Sequence, residues 1–268
     1  MSTALRRFEQ VSLSRDVLQV IGASMRYAVF FVPLIAVAYG LLFVLDPEVA
    51  YRWGFEDGPV EWLGATCLAV SAALFAWTAA VHAKNGLSKF WLTALAVLFL
   101  FGAGEEISWG QRVFSFSTPE LIAEQNKQGE ANIHNLAFFH ALNDDGSKKS
   151  GLARWVTGER MFSLFWLAFC ILLPAAYVSS RFLANRLAAM SMPIVNLSLG
   201  VYFLAIYLAA ELLVPFITGA RGDLGYALME TKETLYSVLF AIIAFDLAQR
   251  ARTGNHGIYG SDRVVAKA

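Results

Sequence analysis

Charge is scarce in this chain. Only 16% of its 268 residues are Asp, Glu, Lys or Arg, where a soluble domain carries about 25%. The two signs cancel to a formal net charge of +0, which excludes a globally basic surface for nucleic acid, and no nucleic-acid partner is expected. Cysteine is nearly absent as well. Cys67 and Cys170 each lie inside an apolar run, with no CxxC and no Cys/His spacing of the kind that holds zinc, so both read as small core residues. The Glu-x-x-His pair of helical di-iron centres occurs nowhere. The first 26 residues scatter Arg6, Arg7, Arg15 and Arg26 among polar residues, unlike the leader of a cleaved signal peptide.

Long apolar runs are plentiful. The chain is 57% hydrophobic, with a mean hydropathy of +0.52, and six segments approach the ~20 residues a membrane helix needs. They are 27–45, 60–82, 90–112, 161–179, 193–217 and 229–248. The expected fold is an all-α polytopic bundle over 27–248. An amphipathic cytoplasmic segment, 1–26, precedes it, in which Leu5, Phe8, Val17, Leu18 and Ile21 mark a short surface helix. A flexible tail, 249–268, follows. Pro33, Pro174 and Pro215 fall within spans, where neighbouring helices tolerate the kinks they cause. Orientation follows the lysine and arginine bias of short loops. Lys84, Lys89, Arg181, Arg186, Arg250 and Arg252 collect on one side, against Arg52 and Arg221 in the opposite short loops. Both termini are therefore expected on the cytoplasmic side.

The polar residues that interrupt these spans share a depth. Glu61 opens the second span, Glu105 and Glu106 lie near the end of the third, Glu211 near the end of the fifth, and Glu230 and Glu233 at the start of the sixth. On this map every one falls in the outer leaflet, and intramembrane carboxylates are costly enough to be functional by default. Some have ordinary explanations. Glu61, just after Pro59, suits a helix N-terminus. Glu230 and Glu233, at i and i+3, also sit at a helix start; Lys232 between them points elsewhere. Glu211, within LAIYLAAELLVPF, has no basic neighbour in sequence. Glu105, Trp109 and Arg112 share a helix face, and Arg112 is a candidate structural partner.

Between the third and fourth spans lies an unusually long loop, 113–160. Ser117-Thr118-Pro119-Glu120 reads as a capping box opening an amphipathic helix over about 118–128 that ends near Gly129. Asn132, His134, Asn135 and His140 follow. A loop of this length is often a lid, and it is expected to fold over the acidic helix ends.

Carboxylates with imidazole make a hard or borderline cation site for Zn, Mn, Fe or Mg, and a metal that activates water works with a spare glutamate as base. The expected catalytic residues are Glu105, Glu106 and His134. The expected metal ligands are Glu105, Glu106, His134, Glu211, Glu230 and Glu233, and the expected substrate contacts are Trp109, Gln111, Arg112, Asn132, Asn135, His140 and Glu61. Position in the outer leaflet points to a membrane lipid or lipid-linked substrate and to hydrolysis or transfer. Two other classes stay open: a proton- or cation-coupled transporter or channel, which the one-sided placement and the lack of an inverted repeat disfavour, and a scaffold that docks another membrane protein through its tryptophans. The segment GEEISWGQR, followed by STPE and NIHN, resembles stretches of bacterial multi-pass inner-membrane proteins of uncharacterised function. That resemblance implies the membrane setting and carries no activity or cofactor.

Overall fold

The computed structural model describes residues 15–55, 57–143, 145–218 and 223–253. In a membrane every backbone polar group must be satisfied within the segment, and the apolar runs accordingly form helices. α1 (Arg15–Leu45) and the short α2 (Pro47–Trp53) are followed by α3 (Pro59–Val81) and α4 (Gly86–Glu106). Two single turns, α5 (Gln111–Phe114) and α6 (Glu120–Ala123), lie in the long loop. α7 (Gly158–Trp166) continues through a wide π-helical stretch, Leu167–Leu172, into α8 (Leu173–Ser179). α9 (Arg181–Ala189), α10 (Leu197–Thr218) and α11 (Asp223–Arg252) complete the order. The described residues contain no strand, only isolated bridges at Asn126–Leu136 and Leu142–Lys148. The protein is an all-α polytopic bundle.

Local chemistry sets the starts. Asp46 accepts from the Val49 amide at 3.1 Å and Pro47 opens α2. Pro59 opens α3. Asn85 and Ser88 exchange the reciprocal bonds of a capping box at the head of α4. Among the described residues five helices are long and apolar enough to cross a membrane: Ser24–Leu45, Pro59–Val81, Gly86–Glu106, Gly158–Ser179 and Ala227–Arg252. The expected fifth span is α10, within which Leu197–Leu212 is a shorter apolar helix.

α11 is the axis. Within its apolar window 78% of residues are buried, against 17–44% in the other four spans. It packs on α1, α3 and α10, while α3 also packs on α4. Gly64 of α3 admits α11 closely, since a Cβ there would stand 3.2 Å from Thr234 Oγ1, and Thr234 donates to Val60 O at 2.8 Å. The core is aromatic: Phe240 meets Phe99, Phe162, Phe165 and Phe203 with ring centroids 4.8–6.0 Å apart.

Proline and glycine shape the fourth span together. Pro174 has no N–H to offer the carbonyl four residues back, that of Cys170, and the helix there widens. α10 approaches that carbonyl at Gly200, where a Cβ would lie 2.0 Å from Cys170 O.

Several expected boundaries change. Residues 15–26 continue unbroken into the first span, because nothing between Arg15 and Leu45 stops the helix, so Val17, Leu18 and Ile21 belong to α1. Leu5 and Phe8, like 254–268 of the tail, lie outside the described residues. The third span ends at Glu106, short of 112. In the loop, the expected helix over 118–128 is the single turn α6, preceded by Pro119 with no side-chain cap. Thr118 instead donates to Gly129 O at 2.7 Å, and the turns use the backbone groups a helix would have used.

Candidate functional site

The long loop closes one end of the bundle, where α3 and α11 begin and α4 ends; α9 and the 190–196 linker close the other. The site lies at the loop end and starts where α4 stops. Ser108, Trp109 and Gly110 all take positive φ, 46°, 56° and 76°, so the chain reverses after Glu106 and the expected face of Glu105, Trp109 and Arg112 never forms. Left-handed backbone is costly for residues with a Cβ and is held only where its surroundings over-determine it. Here the indole of Trp109 folds back onto Gly104, where a Cβ would meet the ring at 2.9 Å, and its Nε1 donates to Glu105 Oε1 at 2.7 Å.

Glu105 is buried, 4% exposed, and its second oxygen is equally committed. Oε2 accepts the amides of Ile133 at 2.7 Å and His134 at 2.8 Å and faces His134 Nδ1 at 3.4 Å. A buried carboxylate needs such compensation. In return it fixes the loop to the helix end and the imidazole to the loop. The His134 side chain is 45% exposed. What burial it has works against its charge, yet its bond to Glu105 and the charges of Glu106, Glu105 and Glu233 outweigh that and hold its imidazolium above the ordinary histidine range.

With Nδ1 turned to Glu105, Nε2 is left without a hydrogen bond among the described residues. Glu106 of α4 and Glu233 of α11 both lie within electrostatic reach of His134 and of each other, and Glu61 of α3 reaches Glu106. Both Glu106 and Glu233 are half-buried, and among the described residues neither has a hydrogen bond or ion pair. Glu61 accepts the Asp57 amide. Three helices, α3, α4 and α11, thus bring Glu61, Glu106 and Glu233 into electrostatic reach of Glu106 or of His134. No three His, Cys, Asp or Glu side chains among the described residues stand in a metal-coordinating arrangement. Glu211 of α10 is in electrostatic reach of Tyr236, as is Glu233, and Glu230 in reach of Tyr39.

Most of the expected substrate contacts are instead occupied in the cap. Gln111 donates to Thr118 Oγ1 at 2.8 Å and accepts from the Ala131 amide at 2.8 Å. Arg112 pairs with Asp57 and with the buried Glu130. Asn132, 1% exposed, donates to Ser108 Oγ at 3.0 Å and Glu130 Oε2 at 2.7 Å, and accepts from Asn126 at 2.8 Å. Asn135 donates to Gln128. His140 Nδ1 accepts the Leu142 amide at 3.3 Å. These side chains build the lid and leave Trp109, 46% exposed, at its rim.

Sequence reasoning passed over three residues that matter. Glu130 anchors the cap. Lys232 is buried, 4% exposed, with Nζ 3.5 Å from Glu159 Oε1 of α7, rather than pointing away. Tyr236, one turn on from Glu233, is 2% exposed, and neither its hydroxyl nor the buried Trp166 Nε1 has a hydrogen-bond partner among the described residues. The i, i+4 step from Lys232 to Tyr236 was the available signal for that polar face. No family model, curated protein or solved structure matches the chain.

Proposed function

We propose that the protein is a bacterial inner-membrane enzyme that performs hydrolysis or group transfer on a lipid or lipid-linked substrate at the outer leaflet. His134 is its acid–base group. The observation that carries this reading is the Glu105–His134 pair: a buried, fully bonded carboxylate orients an imidazole that lies within electrostatic reach of Glu106 and Glu233, neither of them bonded among the described residues. An oriented histidine of this kind takes a proton from an attacking water or hydroxyl and returns it to the leaving group. Glu105 serves as the positioning residue.

The same pairing suits a metal centre, because metal-bound histidines commonly direct their second nitrogen to a carboxylate. In this refinement His134 Nε2, Glu106 and Glu233 are the ligands for a divalent cation (Zn, Mn, Fe or Mg) and Glu105 supports from behind, with Glu211 and Glu230 outside the set. The cation would activate water, one of the roles metals play in hydrolysis. Transport is the weaker reading. Beyond Ser237 the buried residues of α11 run Val238, Leu239, Phe240, Ile242, Ile243 and Ala244, an apolar stretch with no polar route to the far end.

Metal analysis of the purified chain, beside its His134→Ala, Glu106→Gln and Glu233→Gln variants, tests the centre. About one bound divalent ion per chain, lost in each variant while thermal stability is kept, is the expected result. Wild-type protein that neither holds nor responds to added divalent ions removes the metal. Hydrolysis of candidate lipids that is unchanged by His134→Ala removes the acid–base reading as well.

A further inference from the structure

Beside the acidic cluster stands a basic one that the cap does not use. The guanidinium carbon of Arg154 lies 5.4 Å and that of Arg160 5.1 Å from the centre of one indole ring, that of Trp155. Trp155 is 50% exposed. Among the described residues neither arginine forms an ion pair or hydrogen bond. A guanidinium over an aromatic ring spends its face and keeps the N–H donors along its edge, the geometry that grips phosphate bidentately.

The position of this cluster is fixed relative to the site. Gly158, which opens α7 between Trp155 and Arg160, abuts His134: a Cβ on Gly158 would lie 3.8 Å from His134 O and 3.9 Å from its Cβ. The Gly158 amide also donates to Phe139 O at 3.0 Å. Glu159, next in line, holds Lys232, the neighbour of Glu233. Arg154 and Arg160 therefore stand at the two ends of the short segment, 154–160, whose Gly158 abuts His134. Leu152 and Phe138, 85% and 66% exposed, lie in the same cap, and Lys149 Nζ stands 5.8 Å from the Phe138 ring centre. Apolar groups edged by cations are what the boundary between headgroup and acyl chain requires.

We propose that Arg154, Trp155 and Arg160 form a headgroup clamp that binds the phosphate of an anionic lipid and presents it to His134. This deepens the enzymatic reading above by naming the substrate class. The acidic pocket alone would repel such a substrate, and the two guanidiniums offset that repulsion at its rim.

The test reads binding, not turnover, so it stands apart from the catalytic reading. Native mass spectrometry of the full chain in detergent would compare phosphatidylglycerol with phosphatidylcholine of identical acyl chains, and with inorganic phosphate as a third arm. Wild-type protein should retain phosphatidylglycerol preferentially. The Arg154→Gln/Arg160→Gln variant should bind it at least ~10-fold more weakly, the loss of one charged hydrogen bond or more. Equal retention of both lipids, or an unaffected double variant, overturns the clamp. Displacement of the lipid by inorganic phosphate at equal affinity overturns the lipid assignment. Clamp binding that survives in a protein without catalysis leaves the clamp standing and removes only the enzymatic reading. Arg154 is exposed and Arg160 half-buried at the start of α7, and an unchanged melting temperature will confirm that the double variant is folded.

Discussion

The two ends of α11 both carry buried charge and finish it differently. At the far end Asp246, 1% exposed, accepts Ser24 Oγ at 2.5 Å and pairs with Arg250 at 2.6 Å. Arg250 also reaches Ile194 O at 3.1 Å. One carboxylate there ties α1, α11 and the linker before α10 together. At the loop end Lys232 reaches Glu159 only at 3.5 Å, Glu106 and Glu233 have no bonded partner among the described residues, and the buried Tyr236 hydroxyl has none either. Burying polar groups without partners costs stability. The buried carboxylate at the far end is paired, whereas among the described residues Glu106 and Glu233 at the loop end are not; buried polar atoms without a partner there occur at both ends, His82 Nε2 and Asn196 Nδ2 at the first and the Tyr236 hydroxyl at the second.

The largest test of that contrast is Asp246→Ala. It strands Arg250 in the core and should cost about 3–5 kcal/mol, read as a drop in melting temperature in detergent, and a further Arg250→Met change should restore most of the loss. Glu106→Gln and Glu233→Gln should stay within about 0.5 kcal/mol of wild type or exceed it. Losses there as large as at Asp246 would make the two ends alike. Glu105→Gln belongs between them. It weakens bonds to a charged acceptor worth about 1.5–3 kcal/mol, and should release the cap, seen as faster protease cleavage within 113–156 at unchanged helical content. The smallest effect is pH dependence. His134 gains its partners when protonated, so its contribution is complete below 6.5, the value of an unperturbed histidine, and is lost as pH rises through the raised folded value. Hydrogen exchange in the loop should quicken over that range, and His134→Gln should flatten the profile.

The helices were legible because their apolar runs leave the backbone no other solution in lipid, and the shared depth of the acids was legible because a helix advances at a fixed rise per residue. The loop was not. STPE carries the residues of a helix start, but the Thr118 hydroxyl is taken by Gly129 and the turn stops at Ala123. Gln111, Arg112 and Asn132 look like pocket residues in sequence because polar side chains beside a membrane invite that reading. Their partners, Asp57, Glu130 and Ser108, come from distant segments, and pairing over such separations has no local pattern. The contacts of Glu105 depend on a reversal at Ser108–Gly110 that a residue with a Cβ rarely adopts.

The wide stretch before Pro174 has a bearing on all of this. An α-helix turns about 100° per residue, so the surplus residue in Leu167–Leu172 sets the rotational phase of everything that precedes it in the fourth span. Removing one residue there would swing Glu159, Arg160, Phe162 and Trp166 around the helix axis together, parting Glu159 from Lys232 and the clamp from the imidazole, while the half after Pro174 kept its seat. A bulge deep among phenylalanines thus keeps the pocket's two walls in register.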